Sequence, residues 1–258
     1  MKHKVFNKIN NVGYSSIPIL SPYNKILKSR LKNVKFSFRK TKEYSKKIYP
    51  KPNTWLDIGT ANGELIYYLA KGMEKTNFIG LDITSEFIKV AKKMNKNLKN
   101  TKFYCLDVLK AKNLQNKYKS DVVTSIGTLP IFPNPSKFIN RLLDLVNKKG
   151  IMIVDGRIND YDVSAEIRYK DDSKKISKNF WRCDFNLHSE KWLREILSKR
   201  PDIDKIYFKY PTMDTKIPRV KSAPHINVWT IPKKNKGYDI TNGLKIFNNQ
   251  GFLIVKKK

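Results

Sequence analysis

The sequence predicts an α/β protein with a doubly wound, mostly parallel sheet, extended by helix at its N-terminus and by a β-rich cap at its C-terminus. Three observations lead there. Between residues 54 and 156, short apolar runs alternate with helical stretches of about ten residues, the pattern of βαβ units whose sheet is covered on both faces. Polar turns, often with glycine or proline, bound the runs. Acids stand near the ends of three successive runs, at Asp57, Asp82 and Asp107.

Residues 1–22 carry little pattern. From Tyr23 to Ile48 apolar residues recur at mixed helical spacing among lysines, predicting one or two surface helices, which Pro50 and Pro52 end by removing backbone donors. Strands are predicted at 54–58, 77–83, 101–108, 121–127 and 150–156, with helices over 63–73, 85–94 and 135–149 between them. In the last helix Phe138, Leu142, Leu145 and Val146 share a face, and Gly150 supplies the stop. After Asp155 the rhythm breaks. Ser189 reads as the N-cap of a further helix, 203–210 as a strand, 226–243 as two short strands about a Lys, Asn and Gly turn, and 251–255 as a terminal strand beside the sheet. The implied division is a helical extension at 1–50, a core at 51–158, and a cap with completing strands of the same domain at 159–258.

At 258 residues the chain can bury a full core, and no run of about 18 apolar residues offers a membrane span. Cys105 and Cys183 imply no disulfide framework, and the first twenty residues lack the apolar core of a secretory signal, so a cytoplasmic location is expected. The formal charge of +31 admits attraction to nucleic acid. Lysine outnumbers arginine 44 to 9, however, and the lysines are spread from Lys2 to Lys258, which is as well explained by an A/T-rich coding composition.

Ligands of doubly wound sheets bind at the carboxyl ends of the strands, where the order reverses. After the first strand the chain reads LDIGTANGEL. A dinucleotide site needs G-x-G-x-x-G, but Gly59, Ala61 and Glu64 hold those positions, and Glu64 repels a diphosphate. No Walker loop is present. The loop therefore calls for a nucleoside without phosphates.

LDIGTANGEL resembles the first motif of the class I, Rossmann-like S-adenosylmethionine-dependent methyltransferases, and the likeness runs over about residues 53–156. It implies S-adenosyl-L-methionine as cofactor. Asp57 and the backbone at Gly59, Thr60, Ala61 and Gly63 would hold the methionine part. Asp82, 23 positions past Gly59, would accept from the ribose hydroxyls, with Ile83 beside it. Asp107 and Val108 would hold the adenine, and Ser125 would close the set. Ala61 departs from the commoner glycine.

The acceptor is less legible. Asn134, Pro135 and Ser136 only imitate the motif of amino-methylating enzymes and read better as a turn opening the next helix. Asp155, Tyr161 and His188 are candidate bases for a hydroxyl acceptor, with His225 a further histidine. No His, Cys and carboxylate cluster has metal-ligand spacing. Residues 159–247 resemble the tail of a little-characterised methyltransferase group found among bacterial surface-polysaccharide genes. That implies a small-molecule, sugar or glycan acceptor, methylated at oxygen, with Tyr161, Arg168 and Trp181 lining its pocket. Two alternatives stay open: an RNA methyltransferase attracted through Lys25, Lys28, Lys32 and Lys35, and a non-catalytic binding module of the same fold. The oligomeric state is not legible.

Overall fold

The computed structural model describes residues 34–169, 183, 185–219, 228–241 and 249–258. Helix α1 (Phe36–Ile48) leads into strand β1 (Thr54–Ile58), helix α2 (Glu64–Ala70), β2 (Asn77–Asp82), α3 (Ser85–Met94), β3 (Thr101–Cys105), α4 (Gln115–Tyr118) and β4 (Ser120–Ile126). A 3-10 turn (Leu129–Ile131), α5 (Ser136–Asp144), β5 (Val146–Asn159), β6 (His188–Ser189), α6 (Glu190–Ser198), β7 (Ile203–Lys209), β8 (Trp229–Pro232), β9 (Tyr238–Thr241) and β10 (Gln250–Lys257) follow.

The main sheet runs β3-β2-β1-β4-β5-β10-β7, with β6 on the far end of β5. Pairings from β3 through β5 are parallel, while β10 is antiparallel to both neighbours. The order reverses between β1 and β4, so the cleft opens at the carboxyl ends of those strands.

Side-chain alternation builds two core layers. In β5, Met152 and Val154 join α5 and α6 on one face, while Ile151 and Ile153 join α1, α2 and α3 on the other. Fully buried side chains such as Leu56, Ile66, Ile139 and Leu142 each contribute about 1.5–3 kcal/mol. A third cluster, Phe36 with Met213 and Ile240, ties the start of α1 to the β8–β9 hairpin, and Arg39 braces it by donating to Asp214 and Thr215.

Helix α1 lies on the surface with Phe36, Phe38 and Tyr44 turned into the core and Lys46 and Lys47 exposed. Three expectations are corrected. Asp144 ends α5, and Val146 already pairs with Ser120. The strand thus starts four residues before Gly150, across a register shift and a left-handed Lys149 (φ 60°). The terminal strand lies within the sheet, between β5 and β7, not beside it. The third strand stops at Cys105, leaving Asp107 in the following turn.

Candidate functional site

The glycine loop leaves β1 in a left-handed turn, with Gly59 at φ 71°, Ala61 at φ 47° and Gly63 at φ 71°. A Cβ on Gly63 would lie 2.8 Å from the Phe103 ring and 2.9 Å from Asn95 Nδ2, so this position needs glycine for space as well as for φ. At Gly59 a Cβ would run into the Thr128 hydroxyl. Gly59 N–H and Thr60 N–H donate to Leu81 O at 2.9 and 3.1 Å, binding the loop to the end of β2. Ala61 is not glycine, and its left-handed backbone is held instead by donation of its N–H to Asp82 Oδ2 at 2.9 Å.

Asp82 is the hub of the cleft. Its Oδ1 accepts from Thr84 N–H at 2.9 Å, and burial raises its pKa against the hydrogen bonds from Thr84, Ala61 and Ile83 that favour the charged form. Ile83 beside it is 58 % exposed, an apolar side chain facing water where a flat ring can cover it. Asp107 folds back to accept from Leu109 N–H at 2.9 Å and is half-buried, and Val108 is buried beneath it.

Asp57, near the carboxyl end of β1, holds its carboxylate inside the sheet. It is 3 % exposed, accepts from the Thr124 hydroxyl at 2.8 Å, and burial pushes its pKa up to about 6. Ser125 is likewise spent within the sheet, its hydroxyl donating to Ile58 O at 2.8 Å. Asp155 is buried at the level of Ile126, the end of β4, where it accepts from Gly127 N–H and from Gln250 Nε2 at 2.8 Å. Burial raises it to about 7.

The other candidates separate. His188 has no exposed surface. Its Nε2 lies 2.8 Å from Phe132 O, so that nitrogen carries the proton, and burial lowers its pKa. It braces β6 against the turn after β4, and its Nδ1 has no hydrogen-bond partner among the described residues. Tyr161 is 75 % exposed, close behind the end of β5. Arg168 is exposed too, while Trp181 and His225 lie outside the described residues. The Asn134 to Ser136 stretch is a turn, with Ser136 N–H donating to Asn134 Oδ1 at 3.0 Å and α5 starting there. Among the described residues no His, Cys, Asp and Glu group is placed to hold a metal, and no helix is long and apolar enough to cross a membrane.

Three contributors were not read as parts of this site from the sequence: Lys35, named there only for RNA attraction, whose Nζ lies 2.7 Å from Glu64 Oε2, and the pair Gln250 and Gly127 that holds Asp155. Only the glycine left a signal, at the end of the fourth apolar run.

A family model described as a methyltransferase domain matches residues 51–205, more than half of the chain. The chain belongs to this methyltransferase family. Its sheet order and the loop after β1 are those of the class I, S-adenosylmethionine-dependent methyltransferases. Among solved structures, the plantazolicin methyltransferase BpumL, in complex with SAH, is 15 % identical over 100 % of this chain and 98 % of its own, with a TM-score of 0.56. TehB from Haemophilus influenzae is 14 % identical over 89 % of this chain and 65 % of its own (TM-score 0.53). The O-methyltransferase of a trans-AT PKS multienzyme of Brevibacillus brevis, in complex with S-adenosyl-L-homocysteine, is 16 % identical over 76 % and 64 % (TM-score 0.53). The methyltransferase described here thus spans less than two thirds of the length of the latter two. No curated protein sequence matches it.

The residues present fit S-adenosylmethionine. A left-handed loop brings main chain to the cleft, Asp82 sets a carboxylate against that loop, and Ile83 offers exposed apolar surface. When bound, that cofactor supplies an electrophilic methyl group on a sulfonium.

Proposed function

We propose that this methyltransferase binds S-adenosylmethionine along residues 58–63, 82–83 and 107–108 and methylates a small-molecule, sugar or glycan acceptor at oxygen. The loop backbone receives the methionine end, Asp82 the ribose, and Asp107 with Val108 the adenine. The observation that carries the oxygen reading is Asp155. Of the three candidate bases it alone combines a place at the strand ends with a pKa raised to about 7, matched to taking a proton from a hydroxyl near neutrality. Its two hydrogen-bond donors fix its orientation. Tyr161 and Val163, 75 % and 60 % exposed just past β5, offer apolar faces suited to a sugar ring, and Arg168 follows them. The O-methyltransferase among its structural neighbours is in keeping with this.

The test is methyl transfer from labelled cofactor by the purified full chain into a metabolite and glycan extract. Label in a base-stable ether, lost about a hundredfold or more in Asp155→Asn, is the expected result. Label in RNA would replace this reading with the nucleic-acid alternative, and cofactor binding without any transfer would favour the binding module.

A further inference from the structure

Lys35 precedes α1, yet it reaches the cleft. Its ammonium pairs with Glu64 at the start of α2, 2.7 Å away, and its field is felt by Asp57 at the end of β1 and by Asp155 on β5. Asp57 lies two residues before Gly59 and Glu64 directly follows Gly63, so the cation stands beside the glycine loop. Glu64 is 10 % exposed and Lys35 37 %, so water screens the charge only in part. S-adenosylmethionine carries an ammonium, a carboxylate and a sulfonium, and its demethylated product has lost the sulfonium charge.

Resting on the methyltransferase reading above, we propose that Lys35 sets the charge of the cleft, weakening its hold on the sulfonium donor relative to the thioether product. In the transfer the sulfur–methyl bond breaks with its electron pair left on sulfur, the methyl bonds to the acceptor oxygen, and the hydroxyl proton passes to a base. The sulfur loses its positive charge as the proton neutralises that base, so bound donor and bound product differ by the sulfonium charge. A fixed cation there favours that loss and discriminates against the donor in the ground state. The effect is about three- to thirtyfold for unit charges about 8–25 Å apart at an effective dielectric of about 20.

Calorimetry with S-adenosylmethionine and S-adenosylhomocysteine as probes tests this on the full-length chain. In Lys35→Met the ratio of the two dissociation constants is expected to move about tenfold toward the donor, and Lys35→Arg should keep the wild-type ratio. Glu64→Gln, which removes a negative charge from beside the same loop, should move the ratio the opposite way and provides the test if Lys35→Met does not fold. A ratio unchanged in both neutralised variants, whatever happens to the separate affinities, would show that Lys35 is a structural ion pair and overturn the proposal. Wild-type protein that binds neither probe would sink the methyltransferase reading itself, and the inference with it.

Discussion

Asp57 and Asp155 are carboxylates held out of water on one face of the sheet, raised to about 6 and about 7 against an ordinary value near 4. Between pH 4 and 7 the folded chain therefore keeps protons that the unfolded chain has released, and stability falls as pH rises through that window. Asp214, lowered to about 2 by Arg39, acts in the opposite sense but below it. The melting temperature of Asp155→Asn, followed from pH 4 to 8, should decline less steeply than wild type. Parallel curves would mean that Asp155 does not titrate there. Asp82→Ala should weaken S-adenosylmethionine binding about tenfold or more, and more than Glu64→Ala does. It deletes the proposed ribose acceptor and also frees Ala61 N–H and Thr84 N–H, whereas Glu64 faces Lys35. Calorimetry showing equal or reversed losses would count against the assigned register. Asp82 was legible in the sequence because a strand end and a motif position coincide in it. Lys35 was not, because nothing local joins it to a glutamate 29 positions on. The burial of Asp57 was hidden for a related reason: a hydroxyl partner on β4, Thr124, makes an acid tolerable inside a strand.

Among the elements, those bounded by strong local chemistry were placed best. Ser189 caps α6 by accepting from Trp192 N–H at 3.1 Å, as the sequence implied. Ser189→Ala should cost about 1 kcal/mol, read as a lower urea midpoint, and leave cofactor affinity unchanged because β6 and α6 lie away from the glycine loop. A fall in cofactor affinity would mean that the cap also shapes the cleft. Gly63→Ala should act on both quantities, since the new methyl meets Phe103 and Asn95 while φ stays left-handed. Its midpoint is expected to fall by the equivalent of about 1–3 kcal/mol. The start of β5 was misread because Leu145 and Val146 continue the apolar face of α5, so periodicity alone cannot mark the change from helix to strand. Pairing across to Ser120 decides it.

At the scale of the molecule, the parallel half of the sheet was readable because each βαβ unit is local, whereas the place of β10 depends on partners nearly a hundred residues away. Leu253, Ile254 and Val255 look like any apolar terminus, and nothing near them says that they enter between β5 and β7. Once there, the strand bonds on both sides and contributes Phe252, Leu253, Ile254 and Val255 to the two core layers, each with no exposed surface. It also brings Gln250 to Asp155. Loss of residues 249–258 would expose the inner edges of β5 and β7 and leave Asp155 with one hydrogen-bond donor fewer. The truncated chain should show no cooperative unfolding transition by circular dichroism and no cofactor binding. Gln250→Ala in the intact chain isolates the second effect. It should keep the fold, and it should reduce methyl transfer more than cofactor affinity, because its partner faces the acceptor chemistry and not the ribose. A truncated chain that melts cooperatively would show that the parallel strands stand without their antiparallel neighbour, and a Gln250→Ala loss confined to cofactor affinity would remove Asp155 from the acceptor side of the cleft.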